Sequence, residues 1–471
     1  MNRSRADRTD PLDDLPPGYP RALVEHMLTG WAPRSRPMIR RHPRVADFAR
    51  RRAALSARFP GETLVLPGGA APIRSNDTHY PFRPGSDLLY LSGCDDPEAA
   101  LVIGADGEAV LYLEPAITRD NHRFFTDRHR GELWVGAGLG MEATSQRLGI
   151  RCESLDALHG RLTRPARLIR GVDPRVDEAM GAASPEDAVL GQAVAELRLI
   201  KDPGEIDAIK AAIRSTIRGF EDVVRELPRS RGERDVEVTF LSRARREGHG
   251  AGYGVIAAAG PHATVLHWSR NDGPLPANGL LLLDAGVEGR EYYTADLTRT
   301  LPISGRFSPL QAQVYALVEA AWRAAVAEVR PGAAFTAPYR ASSRVIVAGL
   351  HRLGVTLDQA AALDHERQLH RRYTLHAISH MLGLDVHDCA RASAGAYKDG
   401  TLSPGMVLTI EPGLYFQPDD RTVPRALRGI GVRIEDDVLV TAEGATVLSR
   451  ALPRSRYAVE RWMAKIQAEK A

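Results

Sequence analysis

Apolar segments that end on a carboxylate constrain this chain more than any other feature of its sequence. The run LLLLD ends at Asp284, LTIE ends at Glu411 and VRIE ends at Glu435. Such runs predict strands in a hydrophobic core, where an isolated carboxylate is strongly unfavourable. Because a buried carboxylate is tolerated when it is ion-paired or bound to a metal, the pattern favours a metal site.

Composition limits the class of protein. A chain of 471 residues is too long for one ordinary hydrophobic core, which predicts two domains. A net charge of +3 gives no reason to expect a nucleic-acid partner. The three cysteines lack CxxC spacing, which is typical of a reducing compartment. No apolar run is long enough for a membrane span and no secretory signal opens the sequence, so we expect a cytoplasmic protein.

The distribution of strand and helix signals predicts three segments. Residues 1–36 are rich in Pro, Asp and Arg and are interpreted as an N-terminal extension, either a disordered tail or an arm that packs on a partner. Residues 37–190 mix β-like runs with helical segments and predict a smaller α/β domain. The stretch Asp202–Glu205 combines an N-cap, a proline at the first helical position and a capping box. It opens the second domain, residues 191–471.

The second domain is predicted to be α+β, because helices are followed by antiparallel strands. A second strong helix start lies at Ser308 and opens a helix to about Val329. The segments GLLLLDAGVEG and YYTADLTRTLPI predict a pair of strands joined by a loop at residues 287–291. The segments MVLTIEPGLYF and VRIEDDVLVT predict two further strands.

Two aspartates are expected to face each other across the first strand pair. Asp284 and Asp296 lie at similar distances from the predicted loop, and such residues are opposite each other in an antiparallel pair. Each alone is more often a turn or cap residue. Two carboxylates opposed in an apolar sheet repel each other unless a cation joins them, so the pair favours a metal site.

Two histidines extend the set of potential ligands. His376 and His380 are four residues apart, a spacing that would place both on one face of a helix. The sequence HAISH lacks the glutamate of an HExxH zinc motif. A lone histidine is more often a core residue, and Glu411 and Glu435 have alternative explanations as strand-end or turn residues.

Together these residues offer one nitrogen and four carboxylates. The joint set is one of the two histidines with Asp284, Asp296, Glu411 and Glu435. Such a hard, oxygen-rich set suits Mn(II), Mg(II), Co(II) or Zn(II) better than a thiolate site would. The number of carboxylates favours two bridged ions over one.

The chain resembles aminopeptidase P, the X-Pro aminopeptidase of the creatinase-like, or pita-bread, metallopeptidases. In the catalytic half the resemblance is carried by LHWSRND, LLLLDAG, YTADLTRT, LHAISHMLGLDVHD, LTIEPGLY and GIGVRIEDD, and in the first half by YPFRPGSDLLYLSG and DDPEAALVI. It implies a smaller α/β N-terminal domain and a catalytic domain whose curved antiparallel sheet, backed by helices, carries the ligands. That fold replaces the helical interpretation of the two histidines.

The resemblance also implies roles for individual residues. Asp296 and Glu435 would bridge two ions, usually manganese. Asp284 would bind one ion, and His380 and Glu411 the other. A hydroxide between the ions would attack peptides that have proline in the second position. His267 and His387 would take part in substrate binding and transition-state stabilisation. His376 would line the proline pocket, and Arg433 would stand near the downstream end of the substrate. Glu411 would also transfer protons. Family members are commonly dimers or tetramers, so a homo-oligomer is expected.

Alternative functions remain open on the sequence alone. A prolidase, which cleaves only X-Pro dipeptides, shares all five ligands. Creatinase shares the fold but does not keep the ligands, and a non-catalytic binding module on this fold would have lost them. Methionine aminopeptidases usually lack an N-terminal domain of this size. The sequence YPFRPGSDLLYLSG favours aminopeptidase P over prolidase.

Overall fold

The computed structural model of the chain describes residues 15, 17–32, 38–158, 160, 162 and 165–469. It divides into two compact units, Met1–Gly191 and Gln192–Ala471. Helix α8 (Pro185–Arg198) includes the division point. Within the described ranges, no helix combines the length and apolar character needed to span a membrane.

The first unit contains seven helices and seven strands among the residues described. The helices are α1 (Arg21–Met27), α2 (Val45–Ser56), α3 (Ser86–Ser92), α4 (Arg123–Thr126), α5 (Glu132–Val135), α6 (Met141–Leu148) and α7 (Pro174–Met180). The strands are β1 (Thr63–Pro67), β2 (Ile73–Ser75), β3 (Thr78–His79), β4 (Ala100–Ile103), β5 (Ala109–Leu113), β6 (Arg151–Ser154) and β7 (Ala166–Leu168).

Five of these strands form one mixed sheet in the order β6-β5-β4-β1-β7. The two outer pairs are parallel and the two inner pairs are antiparallel. Strands β4 and β5 form a hairpin around Gly107, whose φ of 81° lies in the left-handed region that glycine favours. This mixed α/β sheet agrees with the predicted class of the first domain.

The N-terminal segment packs on its own unit where it is described. Val24 of α1 lies in a buried apolar cluster with Phe124 and Phe125. Tyr19 and Trp31 make edge-on ring contacts with these phenylalanines, at centroid distances of 5.8 and 5.7 Å. Residues 1–14, 16 and 33–36 of the predicted extension lie outside the described residues.

The second unit begins, after α8, with two long helices and ends with another. Its helices are α9 (Pro203–Glu226), α10 (Glu233–Glu247), α11 (Pro309–Ala327), α12 (Ala337–Arg352), α13 (Gln359–Leu363) and α14 (Arg456–Ala468). Capping boxes are present at both predicted helix starts, at Asp202 with Glu205 and at Ser308 with Gln311. Since each box satisfies free N–H groups at a helix start, these two helices begin where the sequence predicts.

The described strands of the second unit pair in antiparallel fashion. They are β8 (Gly248–Ala251), β9 (Ile256–Ala259), β10 (Leu280–Ala285), β11 (Val287–Gly289), β12 (Leu297–Pro302), β13 (Val407–Ile410), β14 (Gly413–Tyr415), β15 (Gly431–Arg433), β16 (Asp436–Thr441) and β17 (Gly444–Val447). Strand β10 lies between β9 and β12, β16 lies between β13 and β17, and β14 pairs with β15. Side chains of α11 and α12 share one buried cluster with β13–β16, so these helices cover the strands.

Three details of the predicted strands are wrong. Residues 287–289 are a strand that pairs with β8, and the turn follows them. Asp284 lies opposite Thr298, while Asp296 precedes β12, so the two aspartates are diagonal neighbours and not a facing pair. Each of the two later segments forms two strands, which are interrupted at Glu411 and at Glu435.

Candidate metal centre

Asp284 and Asp296 meet through a tyrosine. The hydroxyl of Tyr253 lies 2.7 Å from Asp284 Oδ1 and 2.5 Å from Asp296 Oδ1. Both aspartates are buried. Because a phenol has one proton to donate, that proton is shared between the two carboxylates, and it fixes the orientation of both.

Glu411 and Glu435 occupy the breaks between strands. Where a ladder is interrupted, a side chain can be turned out of the regular alternation and aimed elsewhere. Thr298 Oγ1 donates to Glu435 Oε2 at 2.6 Å, and Thr409 Oγ1 donates to Glu411 Oε1 at 3.2 Å. Each glutamate is therefore held by a threonine, Glu435 by one on β12 and Glu411 by one on β13.

His380 lies on extended backbone beside β13, not on a helix. The amides of Thr409 and Glu411 donate to the carbonyls of His380 and Ile378, each at 2.9 Å. His380 Nδ1 lies 3.1 Å from the carbonyl of Met381. Its Nε2 is thereby directed at Asp296 Oδ2 and Glu411 Oε1, at 3.3 and 3.4 Å.

The five predicted ligands thus converge, and three of them form the tightest group. Ligand atoms of Asp296, His380 and Glu435 all lie within 4.8 Å of one another. Glu411 adjoins this group through His380, and Asp284 adjoins it through Tyr253. One imidazole nitrogen with carboxylate oxygens is a donor set that divalent cations of the first transition row accept.

The cluster holds more buried carboxylates than positively charged groups. Burial, and then the charge of Asp284, raise the pKa of Asp296 to about 6. Burial and the surrounding carboxylates raise the pKa of Glu435 well above its usual range. Although burial alone would lower it, the pKa of His380 rises to about 9 because Asp296 and Glu411 favour its charged form. Divalent cations would supply the missing charge, so these residues fit a metal centre.

Glu411 differs from the other carboxylates. Burial acts to raise its pKa, but the hydrogen bond and charge of His376, followed by the charges of His380 and Arg433, lower it to about 2. His376 Nδ1 lies 3.4 Å from Glu411 Oε2. Glu411 is therefore ionised at neutral pH.

Arg433 is a buried counter-charge of the centre. Its Nη2 donates to Asp284 Oδ2 at 2.6 Å and its Nη1 to the hydroxyl of Tyr415 at 2.8 Å. The same hydroxyl lies 2.7 Å from His376 Nε2. The Tyr415 hydroxyl therefore joins Arg433 to His376. Arg433, predicted to stand near the end of the substrate, is thus bound to a ligand and to the neighbour of His376.

His387 and His267 complete the predicted set. The His387 ring meets that of His380 edge-on, with centroids 4.4 Å apart. Burial, and then the charge of His380, lower the pKa of His387, so that it is neutral at pH 7. The following residue, Asp388, is buried and accepts hydrogen bonds from Arg198 and Lys201. His267 is exposed on the loop between β9 and β10.

Comparisons with known proteins identify the family of this chain. Residues 207–442 match the model for metallopeptidase family M24, and residues 48–167 match the model for the aminopeptidase P N-terminal domain. The chain is 48% identical over 463 residues to Xaa-Pro aminopeptidase 1 of Streptomyces coelicolor, covering 96% of this chain and 94% of that protein.

The chain belongs to the aminopeptidase P family. Its fold is that of aminopeptidase P from Escherichia coli with the inhibitor Pro-Leu, with a TM-score of 0.80, 28% identity and coverage of 91% of this chain and 100% of the other. Zinc-substituted E. coli aminopeptidase P in complex with product matches with a TM-score of 0.80, 29% identity and coverage of 90% and 99%. The predicted α+β pita-bread fold with its smaller α/β N-terminal domain is confirmed.

Sequence reasoning missed several residues of the site. Tyr253 lies outside the predicted set, whereas its hydroxyl contacts two of the predicted ligands. Tyr415 and Thr298 were not singled out. Their position inside the motifs LTIEPGLY and YTADLTRT was the only local sign of a role in the site. The side chains that they contact lie far away in the sequence.

Replacing Tyr253 by phenylalanine is expected to lower Mn(II) affinity about 10- to 100-fold, as removal of an outer partner of a metal ligand typically does. The ring would stay, but the proton that orients Asp284 and Asp296 would be lost. Calorimetric titration of Mn(II) into metal-free protein measures the change. Tyr457→Phe, at an exposed tyrosine of α14, is the control. Equal affinities for the two variants would contradict this role of Tyr253.

Proposed function

We propose that this chain is a metal-dependent aminopeptidase that releases the N-terminal residue from peptides with proline in the second position. The observation that carries the proposal is the convergence of the five predicted ligands within and beside the strands of the second unit. Membership of the aminopeptidase P family supports it. We assign residues 191–471 to catalysis, residues 37–190 to the aminopeptidase P-type N-terminal domain and residues 1–36 to an N-terminal extension.

Two divalent ions, most favourably Mn(II), are proposed as cofactors. Asp284, Asp296, His380, Glu411 and Glu435 would hold them. Bound there, such ions lower the pKa of a water nucleophile and polarise the scissile carbonyl. The excess of buried carboxylates over cations around Asp296 and Glu435 supports this assignment.

The chain's own residues are proposed to supply proton transfer and charge stabilisation. Glu411 is ionised, so its carboxylate is suited to accept the proton of an attacking water and return it to the leaving nitrogen. His387 is neutral, so it donates a hydrogen bond to the oxyanion as the oxyanion forms. His267, on the adjoining loop, holds the substrate.

The leaving group explains why a dedicated pocket is needed. The nitrogen of the scissile bond in an X-Pro peptide belongs to proline and has no N–H to bind. Recognition must therefore come from the ring. The edge of His376, oriented by the hydroxyl of Tyr415 at 2.7 Å, is proposed to line the pocket for that ring. Arg433 holds both Tyr415 and Asp284, and it thereby links the pocket to the metal ligands.

We also propose that the protein is cytoplasmic and works as a homo-oligomer. Its cysteines are free in the structure, which is compatible with a reducing compartment. An aminopeptidase must recognise a free amine and exclude long chains, and an N-terminal domain from a neighbouring subunit would meet that need.

The function is tested by comparing the hydrolysis of an X-Pro-Y tripeptide with that of the matching X-Pro dipeptide, both with added Mn(II). We expect release of the first residue from the tripeptide. Cleavage of the dipeptide alone would make the protein a prolidase. A protein that binds Mn(II) and cleaves neither peptide would be a binding module on this fold.

A further inference from the structure

A fully buried glutamate lies at the first turn of α10. Glu233 has 0% of its surface exposed, and its carboxylate accepts four hydrogen bonds. Oε1 accepts from the amide of Ala259 at 2.7 Å and from His262 Nδ1 at 2.8 Å. Oε2 accepts from Trp268 Nε1 at 2.8 Å and from the amide of Gly273 at 2.7 Å. The helix N-terminus adds a favourable dipole, so this charge is well satisfied.

All four donors belong to one segment, residues 259–273, which connects β9 to β10 and carries His267. Two donors lie at its ends and two lie inside it. His262 stacks on Trp268, with ring centroids 3.8 Å apart and an interplanar angle of 25°. We refer to Glu233, His262 and Trp268 as the glutamate clamp.

A second anchor fixes the far side of the same loop. Asn271 is buried, with a φ of 47°, and its side chain bonds the backbone of Ala257 and Val255, each at 2.9 Å. The loop is thus held by side chains on both sides, and His267 is exposed between them. The ring of Trp268, immediately after His267, cannot move without breaking its bond to Glu233 and its stack on His262.

We propose that Glu233 is a positioning residue for His267, acting through the indole of Trp268. A carboxylate is required there because four donors point at two oxygens, and only an acceptor without protons satisfies them all. In glutamine, one oxygen is replaced by an NH₂ group that would face two donors. The loop would then relax, and His267 would lose its fixed place near the substrate. This inference rests on the substrate-holding role proposed for His267.

The test is a double-mutant cycle on the full-length protein with Mn(II). We expect Glu233→Gln to lower kcat/KM for an X-Pro-Y peptide by about 10- to 100-fold, the scale of a 1 Å misplacement of an active-site group. In the His267→Ala background the same substitution should change kcat/KM by less than about twofold, because its target is gone. Glu237→Gln is the matched control: it lies on the same helix and contacts the exposed Arg234.

The cycle distinguishes positioning from a general structural role. Thermal unfolding and Mn(II) content are measured for every variant. An equal loss from Glu233→Gln in both backgrounds would overturn the proposal, because the glutamate would then act on something other than His267. If Glu233→Gln does not fold, Trp268→Phe replaces it in the cycle, since phenylalanine keeps a ring but removes the N–H that reaches Glu233. The same dependence on His267 is expected, with a smaller loss.

Failure of this inference can be told from failure of the proposed function. If the wild type cleaves the tripeptide and His267→Ala is slow, but Glu233→Gln and Trp268→Phe match Glu237→Gln, positioning is refuted while the function stands. If His267→Ala is as active as the wild type, the role of His267 and the positioning of it are both refuted. Absence of tripeptide cleavage by the wild type would refute the function and, with it, this inference.

Discussion

Replacing Asp296 by asparagine is expected to lower turnover of an X-Pro-Y peptide by about 10³-fold or more, with loss of bound metal. Asp296 is a predicted ligand, and its potential ligand atom lies within 4.8 Å of those of His380 and Glu435. Asparagine keeps the shape but removes the negative charge and one acceptor oxygen. A metal contributes several kcal/mol to transition-state stabilisation, and about 4 kcal/mol corresponds to about 10³-fold in rate.

The experiment compares metal content and kcat in one preparation. Asp207→Asn, at an exposed aspartate of α9 paired with Lys210, has the same chemistry and should leave both quantities unchanged. The buried position of Asp296 also predicts that the asparagine variant folds, since the repulsion from Asp284 is relieved. A variant that keeps its metal and its turnover would show that Asp296 is not a ligand.

Replacing His387 by alanine is expected to lower kcat about 10²- to 10³-fold, the usual cost of losing one oxyanion donor. The ring lies edge-on to the predicted ligand His380, and its lowered pKa keeps it neutral at pH 7, so it donates without adding charge beside the proposed metal site. Because the contact strengthens only as charge develops, KM should change little.

Steady-state kinetics on a tripeptide separate the two parameters. His249→Ala, at an exposed histidine stacked on Tyr292, is the control. His387→Gln, which restores an N–H donor, should recover part of the loss. Unchanged kcat in the alanine variant would remove His387 from the chemical step, and a change confined to KM would make it a binding residue.

Three of the five predicted ligands carry a local signal in the sequence. Asp284, Glu411 and Glu435 end apolar runs, and a carboxylate is out of place there unless it is paired. The helix starts at Asp202 and Ser308 were predictable for the same reason, since a capping box lies within four residues of sequence.

What the sequence could not predict depends on contacts between distant segments. The salt bridge of Arg433 with Asp284 joins residues 149 positions apart. The register of Asp284 and Asp296 differs from the prediction because β11 leaves the hairpin to pair with β8. The spacing of His376 and His380 matches a helix, but the backbone there bonds to β13 instead. Tertiary pairing overrides local spacing in each case.

The most direct test of the proposed two-ion centre measures metal content and turnover in a single preparation. Purified protein is stripped with a chelator, reloaded with increasing Mn(II), and assayed on an X-Pro-Y tripeptide at each step. We predict no turnover without metal and maximal turnover at two ions per chain. Full turnover in the stripped protein, or no turnover with both ions bound, would contradict this prediction.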